Sequence, residues 1–238
     1  MKVEIWSDVM CPFCYIGKRH FEQAIEKLPF KSEIKVDWKS YQLNPEYHNT
    51  NNETVYEYLS RSKGVSIEQA KQMTKQVVDM ADNAGLTIDF DKNIPANTFN
   101  AHRLIHLAAK HNLQDFAEEK LFETHFVQSR NIGEISVLVD LAEEIGLDKL
   151  EAEQVLASDQ FAEAVRYDIY ESQNLGIHGV PYFVMDRKYG VSGAQPVQAF
   201  TDALTQSFTE WKSSQPKTTL TSLNKNDDAI CDENGCEI

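Results

Sequence analysis

The sequence predicts an α/β fold in which a small sheet carrying helices is interrupted by a large all-helical insertion. Three observations lead to that architecture. Short stretches with the two-residue alternation of β-strands lie near the start of the chain and again after Pro181. Between about Thr54 and Leu175 the apolar spacing is helical. The first strand runs straight into a proline-started helix, and the junction reads Cys11-Pro12-Phe13-Cys14. A sheet split by a helical block is the economical layer arrangement for that order.

Val3-Glu4-Ile5-Trp6 alternates apolar and polar side chains and stops at Ser7-Asp8, which makes a first strand. From Pro12 to Leu28, Ile16, His20, Ala24 and Leu28 recur at helical steps. Pro12 suits the first helical position, because the N–H that proline lacks would have no partner there. Ile34 to Trp38 alternates again as a second strand. In the helical block, Ser66 and Gln69 form a capping box before a helix over Ile67–Ala84, which Gly85 ends. Helical spacing continues over Asn97–His111 and Leu113–Val127. Glu134–Ile145 ends at Gly146, Asp148 and Glu151 begin another acidic first turn, and Ser158–Asn174 ends at Gly176. β character returns in Tyr182–Met185, directly after Val180-Pro181, and in Lys188–Ser192, with a hairpin turn at Asp186-Arg187. Val197–Trp211 is a last helix. Ser213 to Lys225 is polar and reads as a linker.

The 238 residues allow one large domain or two small ones with a sizeable core. Hydrophobic content of 42% and charged content of 25% are those of an ordinary globular chain. A net charge of −14 repels nucleic acid and anionic lipid, so neither is an expected partner. No apolar run approaches the roughly 20 residues that span a bilayer. The opening MKVEIWSDVM has no apolar signal core and no small-residue cleavage site, so the expected location is cytoplasmic. Thiols are kept reduced there, which favours a catalytic or metal-binding CxxC over a structural disulfide.

At a strand-to-helix junction the Cys11 sulfur faces the first-turn N–H groups and the positive end of the helix dipole. That environment favours the thiolate and makes Cys11 the nucleophile. Cys14, one turn on, is close but more shielded, the geometry for resolving a mixed disulfide on Cys11. Phe13 offers a hydrophobic lip to flexible substrates. Zinc is the competing reading of the pair. It needs two further ligands, and no second CxxC exists. Gly179-Val180-Pro181-Tyr182 is the other notable stretch, because proline before a strand and after a β-branched residue is a candidate cis peptide. In cis, Val180 would present its backbone as an edge to an extended peptide.

Four stretches together resemble the thioredoxin-fold DsbA family, and within it the cytoplasmic FrnE-like branch: S7-D-V-M-C-P-F-C-Y-I-G-K18, N100-A-H-R-L-I-H-L-A-A109, G179-V-P-Y-F-V184 and S192-G-A-Q195. The resemblance runs from near residue 3 to about 211. It implies a thioredoxin fold with a large inserted all-α domain. The division would be 1–50 (first part, with CxxC), 51–175 (helical insertion), 176–212 (second part) and 213–238 (flexible tail). It implies a thiol–disulfide oxidoreductase or disulfide isomerase with Cys11 as nucleophile, Cys14 as resolving cysteine and Pro181 as the cis-proline opposite them. Pro12, Phe13 and Val180 would meet substrate. Expected partners are protein or peptide disulfides and dithiols, with glutathione or a thioredoxin-type reductant as candidate counterparts. The dithiol carries two electrons itself, so no cofactor and no metal is expected. The family's periplasmic oxidants have histidine before the second cysteine. This chain has Phe13 at that position, so a strongly oxidising potential is not implied.

Cys231 and Cys236 flank Asp-Glu-Asn-Gly, and Asn234-Gly235 is a turn signal that brings the two sulfurs together. The resemblance extends to such a C-terminal CxxxxC. The acids around it oppose thiolate formation. We expect this pair to be an accessory exchange partner of Cys11–Cys14. The linker from Lys212 to Ile230, about 19 residues, would span roughly 24 Å as a coil. His102 and His106, at i and i+4, read as core or surface residues because Arg103 stands where a zincin needs glutamate. His178, three residues before Pro181, is a weaker candidate for the site. Asp8 reads as a strand-end turn residue. Two other readings stay open: a glutathione-binding isomerase or transferase of the same fold, and a non-enzymatic chaperone or metal-binding module.

Overall fold

The computed structural model describes residues 1–48 and 53–216, together with the backbone of 230–232 and 235–237. The chain opens with β1 (Lys2–Ser7), α1 (Pro12–Glu26) and β2 (Lys35–Ser40). β1 and β2 run parallel, from Lys2 opposite Lys35 to Ser7 opposite Ser40. After the helical block, β3 (Tyr182–Met185) pairs antiparallel with the free edge of β1, and β4 (Tyr189–Ser192) pairs with β3. The sheet order β2-β1-β3-β4 joins strands from the two ends of this region, so the helical block is an insertion.

Alternation along β1 gives each face its own core. Val3 and Ile5 lie with Phe183 and Met185 under α1 and the last helix α9 (Val197–Ser214). Phe21, Phe183 and Phe200 tie the three elements together, with ring centroids 5.1, 5.7 and 4.6 Å apart. Fully burying each such ring stabilises by about 2–3 kcal/mol. On the other face Trp6 and Val184 pack with Ile177, and the Trp6 indole N–H donates to the Asp168 carbonyl at 2.9 Å.

Among the described residues seven helices form the insertion: α2 (Val55–Lys63), α3 (Ile67–Asn83), α4 (Phe99–Lys110), α5 (Gln114–Phe122), α6 (Ile135–Glu144), α7 (Lys149–Leu156) and α8 (Ala162–Asn174). The capping box at Ser66 and Gln69 is present, and Gly85 takes φ +77° where α3 ends. A second box, Thr54 with Glu57, opens α2. The block docks on the exposed edge of the sheet through polar pairs. The Gln114 side chain accepts from the Trp38 N–H at 3.1 Å and donates to its carbonyl at 2.8 Å, which occupies an edge that would otherwise invite another strand.

A buried carboxylate makes a second tie. Asp168 on α8 accepts from Lys39 and from the Ser40 N–H, each at 3.0 Å, and lies 3.1 Å from His106. Burial alone would push this carboxyl up, but His106, the Ser40 N–H and Lys39 outweigh it and hold it below the usual range. A depressed carboxyl contributes stability that is present above its unfolded value and lost as pH falls through the folded one. We expect Asp168→Asn to cost about 3 kcal/mol at neutral pH in urea melts, with the gap from wild type closing in acid.

Three boundaries differ from expectation. The helix expected over Leu113–Val127 becomes α5 and then a wider π-turn over Glu123–Val127, where the Gln128 N–H reaches the Glu123 carbonyl at 2.9 Å. The helix expected from Ser158 starts at Ala162. Before it the chain wraps the buried Arg103 guanidinium, which donates to the carbonyls of Val155, Ser158 and Gln160, and Phe161 takes φ +64°. α9 runs to Ser214, so the first two residues of the expected linker are helical. The linker beyond Pro216, the Asn234 turn residue and the boundary expected at 50–51 lie outside the described residues. The tail backbone forms β5 (Ile230–Asp232) antiparallel to β6 (Gly235–Glu237), with Cys231 opposite Cys236. Among the described residues no helix is long and apolar enough to cross a membrane.

Candidate active site

β1 hands the chain to α1 through a tight turn. The Cys11 N–H donates to the Asp8 carbonyl at 2.8 Å, and Cys11 becomes the N-cap of α1 with Pro12 as its first residue. Cys14 follows one turn in, its N–H 3.0 Å from the Cys11 carbonyl. Both are free thiols. Cys11 is 4% exposed and Cys14 1%. The Cys11 thiol donates to the Val180 carbonyl at 3.7 Å. The Val180–Pro181 peptide bond is cis, and the Pro181 carbonyl accepts from the Gly193 N–H at 2.8 Å.

Gly17 lets the proline loop approach α1. A Cβ at this position would stand 2.9 Å from Pro181 Cγ and 3.5 Å from the Ala194 backbone. Alanine would gain about 1 kcal/mol of helix propensity, and forcing the ring aside costs more, about 1–3 kcal/mol. We expect Gly17→Ala to lower the melting temperature by several degrees, read by calorimetry.

Beneath the thiols lies a closed polar cluster of Ser7, Asp8, His102 and Glu118, all buried. Asp8 is a turn residue, as expected. Its side chain accepts from the Leu43 N–H at 2.7 Å and lies 3.6 Å from His102 Nε2, too far for a hydrogen bond. The Ser7 hydroxyl donates to Glu118 Oε1 at 2.6 Å. The Ser7 side chain and the Asp8 main chain act on the Cys14 thiol in the direction that favours its thiolate. Burial, then Cys11, push the Cys14 thiol well above its ordinary value, and those two groups only partly offset this. Burial raises the Glu118 carboxyl to about 7, against the Ser7 hydroxyl and the charges of His102 and Lys18. Burial would lower His102, but Asp8 and then Glu118 outweigh it and raise it.

In front of the thiols is a cavity of about 680 Å³ between the sheet and the α2–α3 hairpin. Cys11, Phe13 and Val180 form one wall, and Met73, Met80 and Leu59 face them. Phe13 is 39% exposed at the lip. Methionine adapts to irregular apolar surfaces, which suits a variable ligand.

A profile of the DsbA-like thioredoxin domain matches residues 2–205. The chain belongs to the DsbA-like thioredoxin family. A solved structure of similar shape is the "probable DsbA oxidoreductase SCO1869" of Streptomyces coelicolor, 36% identical, with a TM-score of 0.84 over 100% of this chain and 99% of that one. The cytosolic disulfide reductase DsbM of Pseudomonas aeruginosa, solved with GSH, shares the fold at 16% identity and TM-score 0.62, covering 88% of this chain and 100% of its own. The uncharacterized protein YwbO of Bacillus subtilis (strain 168) is 26% identical over 191 residues, 77% of this chain and 86% of its own length.

Within this DsbA-like fold, Cys11, Cys14, Pro12, Phe13, Val180 and Pro181 converge at one end of the sheet, although Val180 and Cys11 are 169 positions apart. His178 is exposed and does not line the Cys11 cavity. His102 is a core residue behind the thiols, and His106 belongs to the Asp168 tie. The side chains of Cys231 and Cys236 lie outside the described residues. Among the described residues no group of three His, Cys, Asp or Glu side chains could hold a metal ion. Ser7, Glu118, Asn93 and His125 are additions that sequence reading missed. Glu118 had a visible signal. It falls on the apolar stripe of α5, with Ala117, Leu121 and Phe122, where a carboxylate is costly unless used.

Proposed function

We propose that the chain is a cytoplasmic thiol–disulfide oxidoreductase or isomerase of the FrnE-like branch, acting through Cys11 and Cys14 on protein or peptide disulfides. The observation that supports this most is the pairing of a helix N-cap cysteine, in contact with the Val180–Pro181 loop, with a deeper second cysteine one turn on. The helix terminus attracts the charge of a Cys11 thiolate. This sulfur attacks one sulfur of a substrate disulfide. The substrate S–S bond breaks, a mixed disulfide with Cys11 forms, and one substrate thiol leaves. Cys14 then gives up its proton and attacks Cys11. The second substrate thiol leaves, and the Cys11–Cys14 disulfide holds the two electrons' worth of oxidation.

Cys14 needs a proton acceptor because its thiol is pushed up by burial. Glu118 fills that role through Ser7. The thiol proton passes to the Ser7 oxygen as the Ser7 proton passes to the Glu118 carboxylate. Pro12, Phe13 and Val180 form the rim that substrate meets. Glutathione or a thioredoxin-type reductant restores the dithiol. The Cys231–Cys236 pair, if reduced, takes over the disulfide by the same exchange, aided by tethering at an effective concentration on the order of millimolar.

Turnover of a quenched fluorescent peptide disulfide tests the reading. The protein should show it, and Cys11→Ser should not. Equal turnover by that variant contradicts the assignment. Alkylation of trapped intermediates should reveal a link from Cys11 to Cys231 or Cys236, and its absence would remove the tail from the cycle.

A further inference from the structure

The deep end of the Cys11 cavity holds two polar groups that no atom of the described residues answers. Asn93, 4% exposed, and His125, 3% exposed, both line the cavity. Asn93 Nδ2 and His125 Nδ1 are buried and have no hydrogen-bond partner among the described residues. Buried polar groups are ordinarily paired, so two such groups on residues that line one cavity need an explanation.

Both groups are held in place. The Asn93 N–H donates to the Asp89 carbonyl at 3.1 Å, and the Asp89 N–H donates to the Phe126 carbonyl at 3.3 Å. The Asn93 side-chain oxygen accepts from the Ser129 hydroxyl at 3.3 Å, which leaves its NH₂ without a partner among the described residues. His125 sits in the π-turn Glu123–Val127, a geometry that recurs at functional sites, with its ring 4.5 Å from that of Phe126. Asn93 and His125 are thus fixed on neighbouring segments. Burial lowers the His125 ring to about 4, so it is neutral at physiological pH.

In the tautomer with its proton on Nε2, the neutral His125 ring offers Nδ1 as an acceptor, and together with the Asn93 N–H it matches a neutral group with one donor and one acceptor. Among the described residues no carboxylate lines the cavity, Lys63 is its one charged residue, and its other walls are largely apolar. Glutathione, with two carboxylates and an ammonium, would find one charge partner there. We propose that Asn93 and His125 form a substrate subsite that binds a main-chain amide of a polypeptide next to its disulfide cysteine. The amide carbonyl accepts from Asn93 Nδ2, and the amide N–H donates to His125 Nδ1. Apolar side chains flanking the cysteine lie against Met73, Met80 and Phe13. This deepens the oxidoreductase reading and rests on it for the cysteine, but not for the peptide contact.

The test compares two disulfides. One is a symmetrical disulfide of a short peptide with leucine and phenylalanine flanking cysteine. The other, hydroxyethyl disulfide, has no amide. In His125→Leu and Asn93→Leu, the kcat/KM preference for the peptide over hydroxyethyl disulfide should fall about tenfold, the usual loss for one good hydrogen bond. It should fall through KM. His125→Gln, which keeps an acceptor, should restore part of it. An unchanged preference overturns the proposal and leaves the pair as holders of water. A scan of single backbone N-methylations of the peptide on the unaltered protein needs no variant. One position should raise KM about tenfold, and no sensitive position overturns the subsite. The same peptide with serine for cysteine, titrated calorimetrically, reads binding without chemistry. If it binds about tenfold more weakly to His125→Leu while the unaltered protein turns over no disulfide, the oxidoreductase reading fails and the subsite stands. Equal binding overturns the subsite alone.

Discussion

Cys14→Ser is expected to stop the reaction halfway and hold its substrate. Cys11 keeps its place at the N-cap of α1 and its contact with Val180, so the first attack proceeds. Cys14, the sulfur that would release the mixed disulfide, is then gone, and replacing Cys231 and Cys236 by serine as well removes the tail thiols as a second route. Mass spectrometry should find the variant carrying one substrate adduct on Cys11, removable by dithiothreitol. Cys11→Ser should form no adduct, with turnover falling by more than about a thousandfold, because a serine hydroxyl is not ionised near neutral pH and Cys14 is buried. Both substitutions replace sulfur by a smaller atom in a confined place, so melting curves should shift little. An adduct on Cys14 in place of Cys11 would reverse the roles of nucleophile and resolving thiol.

Glu118→Gln should separate the two half-reactions. Formation of the mixed disulfide does not use Glu118, but its resolution does. Removing a general base of this kind lowers a rate about 10²–10⁴-fold, so the mixed disulfide should accumulate in a protein that has both cysteines. Ser7→Ala, which breaks the same path at 2.6 Å from Glu118, should do likewise. In stopped-flow measurements the resolving step of the unaltered protein should rise with pH through about 7, as Glu118 ionises, and that limb should vanish in the variant.

Stability should move in the opposite sense. The folded Glu118 pKa is raised, so its contribution is fully present below the unfolded carboxyl value and is lost as pH rises through about 7. His102, also raised, loses its contribution in the same direction. The depressed His125 pulls the other way up to its unfolded value, so the readout is a difference between proteins: Glu118→Gln should gain on the unaltered protein as pH rises from about 5 through 7, by about 3 kcal/mol at most. A variant that slows catalysis while stabilising the alkaline protein marks a carboxylate retained for its chemistry. A variant that slows both half-reactions equally would make Glu118 a structural residue.

Much of the site was legible because it is written locally. Ser7 to Lys18 carries strand end, turn, proline start and both cysteines in one stretch, and Gly179 to Val184 carries the proline loop. The capping residues Ser66 and Asp148 fixed helix starts for the same reason. What escaped was set by distant contacts. Arg103 decides where α8 begins by binding carbonyls more than 50 positions away. Glu118 is 111 positions from Ser7, and nothing local to either shows that they meet. Asn93 lies in a turn whose neighbours favour no regular element, so periodicity could not place it on the cavity wall. His125 reads as one more helical residue, because a π-turn differs from an α-turn only in which carbonyl the chain selects.

The most direct test of a catalytic Cys11–Cys14 dithiol is a glutathione redox titration with alkylation and mass mapping of all four cysteines. Cys11 and Cys14 should interconvert together as one two-electron couple, with Cys14 protected from alkylation until the native fold opens. Thiols that resist oxidation until a chelator is added would show that the pair holds metal, and would contradict a catalytic dithiol.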